Sequence, residues 1–357
     1  MSTLHKLSVV VAAAAALLNR CRWRRFAAAS IALVAVFSPA GGQAAAAEQA
    51  APDHPTVVLR PGPVNGAPPA RGYVIGKVFH GPNGTVTLPH AYSSIGVVGT
   101  HLIGTRDVTQ TEVATVEVLE AAGTVVLSRR LRLRFAISDD HTVTAWAGPR
   151  GRIHTWTEAD GVVRLAAQRR GAVVKDVNGS TTCGEAAGGA CTVYFDMRNL
   201  EIRPRFITSD GTTGIVAPDA VVFADATDGG RLAYITSIRD DGSCSRVKPG
   251  FRTCRHSFGR FSDNGRRIIG YDDRRDGIGD RFADVLNSRT GRIQVRARVP
   301  VNGYIGQVLW EDNDSVVVNA WVNGRAQLYR VNASGTWKRV ARALRSADVD
   351  NPYRLVE

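Results

Sequence analysis

Short apolar runs alternate with polar turns between Phe258 and Pro300, in FGRFSDNGRRIIGYDDRRDGIGDRFADVLNSRTGRIQVRARVP. Residues 262–265 (SDNG) and 288–291 (SRTG) are typical turn sequences, because Asn and Gly tolerate positive φ. The runs between the turns are only a few residues long and carry branched or aromatic side chains, as strands do. The pattern predicts four short antiparallel strands in this stretch.

The same alternation covers the rest of the chain from Arg71 onward. It is clearest in four segments, Thr142–Trp146, Arg152–Thr157, Ser315–Trp321 and Gln327–Val331. We find no convincing helical period in this region. The sequence therefore predicts an all-β protein.

The central stretch resembles the repeat of TolB-like β-propellers. The resemblance rests on FSDNGRRIIGY, on the loop with Asp276-Gly277, and on ADVLNSRTGR. The family repeat has a Phe/Trp-Ser-Pro-Asp-Gly turn, and here Asp-Asn replaces Pro-Asp. The resemblance implies a propeller fold, but propellers host many unrelated activities. TolB itself also carries an N-terminal α/β domain, for which residues 48–71 are too few.

Copies of this unit recur along the chain. An apolar residue that opens a turn recurs at steps of 39, 49, 38 and 49 residues, at Phe135, Val174, Phe223, Phe261 and Trp310. The mean step, (310 − 135)/4, is near 44 residues, which is the length of one four-stranded blade. Val98 fits as a weaker sixth anchor.

We therefore predict a β-propeller of about six four-stranded blades between Arg71 and Leu344. A ring also needs one blade that both chain ends complete, and Tyr73–His80 is the predicted closing strand, joined to the last blade. A pair of β-sandwiches is the alternative that the same strand signals allow.

The first residues have the features of a targeting segment. Two apolar stretches, Leu7–Leu18 and Ala27–Ala40, flank a basic cluster, and neither reaches the ~20 residues that span a bilayer. We predict a signal peptide over 1–47, a linker rich in Ala and Pro over 48–71 with at most one short strand, at Thr56–Arg60, the propeller over 72–345 and a tail over 346–357. The predicted location is secreted or cell-envelope. An uncleaved N-terminal anchor or a twin-arginine signal at Arg24-Arg25 are alternatives.

The charge pattern argues against a nucleic-acid partner. The net charge is +13, and without the five basic residues of the targeting segment it is 40 − 32 = +8. Those 40 basic residues include only four Lys, at 77, 175, 248 and 338, and they alternate with acids instead of forming a basic run.

Four cysteines remain after the targeting segment. They allow three pairings, of which the local ones, Cys183–Cys191 and Cys244–Cys254, are geometrically the easiest. No Cys-x-x-Cys occurs, which argues against a zinc site. Behind an export signal we expect both local disulfides to form.

The loop Asp272–Asp280 is the most charged segment of the central stretch. As a calcium loop it fails at two ligand positions, because Arg274 stands at the third and Ala283 at the twelfth. We therefore predict no metal site and no cofactor. The loop reads instead as a solvated hairpin loop whose charges could contact a partner.

The sequence lacks the motifs of common catalytic sites. It has no G-x-S-x-G, no H-E-x-x-H and no phosphate-binding glycine loop, and its histidines are scattered singly. Carboxylate pairs such as Asp139-Asp140 lie in turns. No catalytic residue is predicted, and this favours a non-enzymatic protein.

Two function classes stay open. The first is a monomeric binding or scaffold module for a protein or cell-envelope component, which would reach a membrane only through an uncleaved targeting segment. Its predicted contacts are Asp272, Asp273, Arg274, Arg275, Asp276, Asp280 and Arg281, whose paired charges could steer a partner. The second is a propeller hydrolase or lyase with its site at the mouth of the central channel.

Overall fold

The structure is a computed structural model. It describes residues 54–357 except 110–111, 169–170, 180–182, 184–190, 198–202, 240–241, 273–279 and 346–351. The described residues form strands and turns, and they include no helix that is long and apolar enough to cross a bilayer. The all-β prediction is confirmed.

Seven sheets, or blades, contain the strands, and neighbouring strands are antiparallel in every pair except one in blade 5. Four short strands precede blade 1: β1 (Thr56–Val58), β2 (Tyr73–Ile75), β3 (Val78–Gly81) and β4 (Gly84–Thr87). Blade 1 contains β5 (Ser94–Val98), β6 (His101–Arg106), β7 (Val113–Leu119) and β8 (Val125–Arg132). Blade 2 contains β9 (Phe135–Ile137), β10 (Val143–Ala147), β11 (Arg152–Thr157) and β12 (Gly161–Gln168). Blade 3 contains β13 (Ala172–Asn178), β14 (Thr192–Met197), β15 (Arg205–Thr208) and β16 (Thr213–Ile215).

The remaining blades follow in chain order. Blade 4 contains β17 (Val222–Ala226), β18 (Leu232–Arg239), β19 (Gly242–Lys248) and β20 (Arg252–Thr253). Blade 5 contains β21 (His256–Phe261), β22 (Arg267–Asp272), β23 (Phe282–Asn287) and β24 (Ile293–Arg298). Blade 6 contains β25 (Tyr304–Trp310), β26 (Ser315–Val322), β27 (Arg325–Asn332) and β28 (Trp337–Arg339), and β29 (Leu344–Arg345) also pairs with β27. Blade 7 joins β30 (Tyr353–Leu355) to β2, β3 and β4.

The blades close into one ring. The innermost strands contact each other in the order β5, β9, β13, β17, β21, β25, β30 and back to β5. At the closure, the Glu357 N–H donates to the Ile95 carbonyl at 3.1 Å, and the Val97 N–H donates to the Glu357 carbonyl at 2.7 Å. This ring is a seven-bladed β-propeller and not a pair of sandwiches.

The prediction of about six blades is wrong. Each predicted anchor lies on the innermost strand of a different blade, but the seventh blade has its innermost strand at Tyr353–Leu355. Tyr73–His80 is not one closing strand, because Gly76 (φ 59°) and Lys77 turn the chain between β2 and β3. It supplies two of the four strands of a separate blade, in which Tyr73–Ile75 pairs with Tyr353–Leu355.

The core lies between neighbouring blades. One buried cluster joins Ile269 and Val285 of blade 5 to Val318 and Tyr329 of blade 6. Similar clusters join blades 1 and 2, 2 and 3, 4 and 5, 6 and 7, and 7 and 1. Each blade therefore buries its faces on its neighbours, as a closed ring of repeats requires.

Both disulfides have the predicted local pairing. Cys183 is joined to Cys191 in the connection between β13 and β14, and Cys244 of β19 is joined to Cys254 just after β20. The segment 48–71, for which at most one short strand is expected, contributes β1, which adds in parallel to β24 as a fifth strand of blade 5.

Candidate functional site

The connections between strands define the two ends of the ring. We name the strands of a blade A to D from the axis outward. The A–B and C–D turns lie at one end, the A–B end: the Gly99 N–H donates to the His141 carbonyl at 2.7 Å, and Thr100 Oγ1 donates to Glu158 Oε1 at 2.9 Å. The B–C turns and the connections between blades lie at the other end, the B–C end.

Arg260 of β21 occupies the axis near the A–B end. Its Nη2 donates to the carbonyl of Ile137 at 2.5 Å, on the innermost strand of blade 2 across the channel. Four carboxylates surround the guanidinium at 3.7 to 4.0 Å, from Asp139, Asp176, Asp225 and Glu357. We call these five residues the axial cluster. It brings together five of the seven blades.

Two of these carboxylates also bond neighbouring blades. Asp176 Oδ2 accepts the N–H of Ala226 at 2.8 Å, and Asp225 Oδ2 accepts the N–H of Phe261 at 2.6 Å. Asp176 and Asp225 each follow a β-bulge, which turns a side chain toward the next blade. Gln307 follows the bulge of β25 and accepts the N–H of Leu355 at 3.0 Å. We call these three contacts the inter-blade bonds.

Burial raises the pKa of three carboxyl groups of the axial cluster, those of Asp139, Asp176 and Asp225. Burial, and next the charge of Asp176, raise the pKa of Asp139 to about 7 against the opposing effect of Arg260. Burial likewise raises the pKa of Asp176 to about 6 and that of Asp225 well above its usual range. The Asp139 side chain is only 9% exposed, and its Oδ2 has no hydrogen-bond partner.

The axial cluster leaves little free space. Three of its residues, Asp139, Arg260 and Glu357, line a cavity together with Arg71, His141 and Trp310. This cavity measures about 10 Å³, enough for about one water molecule. Trp310, which also lines this cavity, donates from its Nε1 to the Arg260 carbonyl at 2.8 Å. Among the described residues, no three His, Cys, Asp or Glu side chains are arranged to hold a metal ion. This arrangement fits a structural plug better than a substrate site.

A wider polar groove of about 820 Å³ lies between blades 5 and 6 at the A–B end. Its Arg267 already donates to Gln294 at 2.6 Å and to the Asn313 carbonyl at 2.7 Å, and it pairs with Asp314 at 2.8 Å. Asn287 uses its Oδ1 to accept two N–H groups of its own turn. These polar side chains therefore already bond to other residues of the protein.

Exposed charges separate between the two ends. At the A–B end the described exposed acids outnumber the exposed bases, nine to five. The acids are Glu120, Asp140, Glu158, Asp160, Asp210, Asp228, Asp263, Asp312 and Asp314, and the bases are Lys248, Arg252, Arg266, Arg289 and Arg292.

The B–C end has the opposite charge. Its ten described exposed bases are Arg60, Lys77, Arg134, Arg150, Arg203, Arg255, Arg298, Arg325, Arg342 and Arg345. Its two described exposed acids, Asp107 and Asp219, are paired with Arg106 and Arg246. The ring therefore presents a basic surface on one side and a mainly acidic surface on the other.

The predicted contact loop connects β22 to β23, and the described residues at its two ends, Asp272 and Asp280, lie at the B–C end. Asp272 ends β22, and the backbone carbonyl of Asp280 accepts the Ile305 N–H at 2.6 Å, which fixes the loop base to blade 6. Arg281 is half-buried, and its Nε and Nη2 have no hydrogen-bond partner. Asp273, Arg274, Arg275 and Asp276 lie outside the described residues.

Sequence reasoning missed the axial cluster and the separation of charge. Asp139-Asp140 is visible in the sequence as a carboxylate pair, but no sequence feature links it to Arg260, 121 residues later. The available signal was the acid near each repeat anchor, as in FAISDD, VKDV, FADATD, FSDN and WEDND. Once the anchors are aligned on innermost strands, these acids fall at one end of the ring.

The comparisons with known proteins give a fold likeness only. No protein-family model and no curated protein matches the chain. Among solved structures, the β-propeller domain of Cps50 (Swd1) from Myceliophteria thermophila is similar at 14% identity and a TM-score of 0.45, over 71% of this chain and 86% of that one. The strand pairing described above establishes the propeller independently of that likeness.

Proposed function

We propose that this propeller is a binding module that recognises a partner on its B–C end and does not act as an enzyme in its channel. The observation that carries the proposal is the separation of exposed charge, which makes the B–C end a broad basic surface. Charged surfaces of this kind steer and orient partners. The small cavity in the axial cluster, about 10 Å³, gives no support to a hydrolase or lyase site at that mouth.

The proposal places the protein outside the cytoplasm. The two disulfides support an oxidising compartment, and the apolar stretches before residue 47 fit an export signal that is removed near Ala47. The partner would be a protein or another component of the cell envelope. Kinship with TolB-like propellers is part of the same proposal and rests on the repeat sequence.

Within the B–C end, we propose that the loop Asp272–Asp280 and Arg281 are among the contacts. The two nitrogens of Arg281 without a partner support this, because a buried donor gains from a bound acceptor. Arg274 and Arg275 would supply further positive charge beside it.

A pull-down from detergent-solubilised envelope extract tests the proposal. We expect the wild type to retain a partner and the variant Arg274→Ala/Arg275→Ala to retain at least about tenfold less, which corresponds to 1.4 kcal/mol. Melting should be unchanged, since exposed ion pairs contribute about 1 kcal/mol at most.

The matched control is Arg289→Ala/Arg292→Ala, which removes two exposed arginines from the A–B end of the same blade. This variant should bind like the wild type. Equal retention by the loop variant and the wild type, or loss only in the A–B control, would refute recognition through the B–C end.

A further inference from the structure

The most exposed large aliphatic side chains of the described residues all lie at the B–C end. Val301 is 72% exposed, Ile238 is 56% exposed and Val108 is 51% exposed. Val108 lies between β6 and β7, Ile238 is the penultimate residue of β18, and Val301 lies between β24 and β25. They belong to different parts of the ring, so that one flat surface can contact all three together.

Basic side chains accompany these aliphatic residues. Arg298 stands three residues before Val301, and Arg325 and Arg345 pair in register across β27 and β29 at the same end of blade 6. Lys77, Arg134, Arg150, Arg203 and Arg255 continue the positive charge around the other blades. Scattered aliphatic tips within a basic surface differ from a protein-binding core, which is a contiguous apolar patch.

We propose that the B–C end docks reversibly onto the surface of an anionic lipid bilayer. The proposal rests on the proposed function, because it names the partner of the same surface. Arginine binds phosphate oxygens through paired N–H donors, and each basic residue near an anionic bilayer strengthens attachment. Val108, Ile238 and Val301 would enter the boundary between headgroups and acyl chains, as apolar residues of peripheral proteins do.

The charge of the opposite end favours one orientation. The A–B end, where nine exposed acids outnumber five exposed bases, would be repelled by the same bilayer. The ring would therefore lie flat with its A–B end toward the solvent. A soluble polyanion would use the arginines equally well, but it would gain little from the three aliphatic tips.

Sedimentation of the full-length chain with lipid vesicles tests the proposal. The vesicles contain phosphatidylcholine alone or with about 30% phosphatidylglycerol, an anionic fraction that attracts basic surfaces. We expect binding to the anionic vesicles to exceed binding to the neutral ones, and to fall at high salt. Residues 1–53 have the same sequence in every variant, so a difference between variants reports the substituted side chains.

Two triple variants address the two kinds of side chain. Arg298→Gln/Arg325→Gln/Arg345→Gln should lower the partition coefficient about 100-fold, since each basic residue accounts for about a factor of five. Val108→Ser/Ile238→Ser/Val301→Ser should lower it at least about tenfold. One triple variant changes charge and the other changes apolar surface. Either variant is therefore enough to test the proposal, provided that it melts like the wild type.

Each variant has a control of the same chemistry away from the B–C end. Arg266→Gln/Arg289→Gln/Arg292→Gln removes the same charge from the A–B end, and Val125→Ser/Val126→Ser/Val162→Ser removes exposed valines from outer strands. Both controls should bind anionic vesicles like the wild type. Equal loss in a control and its matched variant would overturn the proposal.

Other outcomes also decide the matter. Equal binding to neutral and anionic vesicles would overturn the bilayer proposal. It would also be overturned if polyphosphate bound as tightly as the anionic vesicles and Val108→Ser/Ile238→Ser/Val301→Ser did not weaken vesicle binding. If vesicles do not bind but the pull-down partner still depends on Arg274 and Arg275, bilayer docking fails and the binding-module function stands. If neither experiment shows binding at the B–C end, both fail.

Discussion

Arg260 shows how one side chain can organise a whole ring. It reaches from blade 5 to the Ile137 carbonyl of blade 2, and it is the one cation of the axial cluster. Without it, Asp139, Asp176 and Asp225 would be buried with no compensating charge, which is strongly unfavourable. The guanidinium thus stabilises carboxylates that in turn bond neighbouring blades.

The raised pKa of Asp139 predicts a dependence of stability on pH. A carboxyl whose folded pKa of about 7 exceeds its unfolded value binds more protons in the folded state. Stability should therefore fall as pH rises from about 4 to about 7, opposite to the usual effect of a salt-bridged acid. Asp139→Asn cannot ionise, and we expect it to be more stable than the wild type at pH 8 by on the order of 2 kcal/mol.

Urea unfolding measures this effect at about pH 4.5, near the lower limit of the window of about 4 to 7, and at about pH 8, above it. The advantage of Asp139→Asn should nearly vanish at the lower pH. Glu120→Gln, which neutralises an exposed acid at the same end, should show no such change. An Asp139→Asn variant that is less stable at both pH values would show that the ionised carboxylate stabilises the ring.

At the scale of elements, strand type and repeat length could be predicted from the sequence, because alternation and turn residues are local properties. The count of seven could not, because blade 7 is assembled from β30 and β2, which lie at opposite ends of the described chain. Each has only three residues, too few to show a periodicity. The inter-blade bonds were equally hidden, since they depend on bulges that a regular strand pattern does not reveal.

We predict that the inter-blade bond between Gln307 of blade 6 and Leu355 of blade 7 stabilises the ring. Gln307→Ala would leave the backbone N–H of the buried Leu355 without its acceptor, the Gln307 Oε1. We therefore expect a loss of about 1–2 kcal/mol in the free energy of unfolding. Gln307→Glu keeps an acceptor oxygen and should recover most of that loss. Equal destabilisation by both variants in urea unfolding would show that the hydrogen bond is unimportant for closure.

The pairing of the local disulfides can be tested by measuring the mass of the alkylated chain. Alkylation without reductant should add nothing to a chain cleaved near Ala47, and one group, on Cys21, to the uncleaved chain. Removing either disulfide as a Cys→Ala pair should cost about 2.5–3 kcal/mol, because each closes a short loop. A peptide that links the 183–191 region to the 244–254 region would contradict the pairing.

At the scale of the whole molecule, composition concealed the most useful feature. Basic and acidic residues alternate along the chain, and the overall charge of +13 suggested no binding surface. Successive turns of a propeller lie at opposite ends, so alternation in sequence becomes separation in space. Asp263 and Arg281 show this within one blade: the first follows strand A and the second precedes strand C. The candidate surface could therefore be found only after the ring was known.

The central claim is that binding occurs at the B–C end, and hydroxyl-radical footprinting tests it most directly. Full-length protein is oxidised alone and in envelope extract, and the side chains are compared by mass spectrometry. We predict that oxidation of Val108, Ile238 and Val301 falls several-fold in extract, while Val126 and Val162 are unchanged, because only the first three lie at the B–C end. Unchanged oxidation at those three residues, with protection at Asp263–Gly265 of the A–B end, would contradict the account.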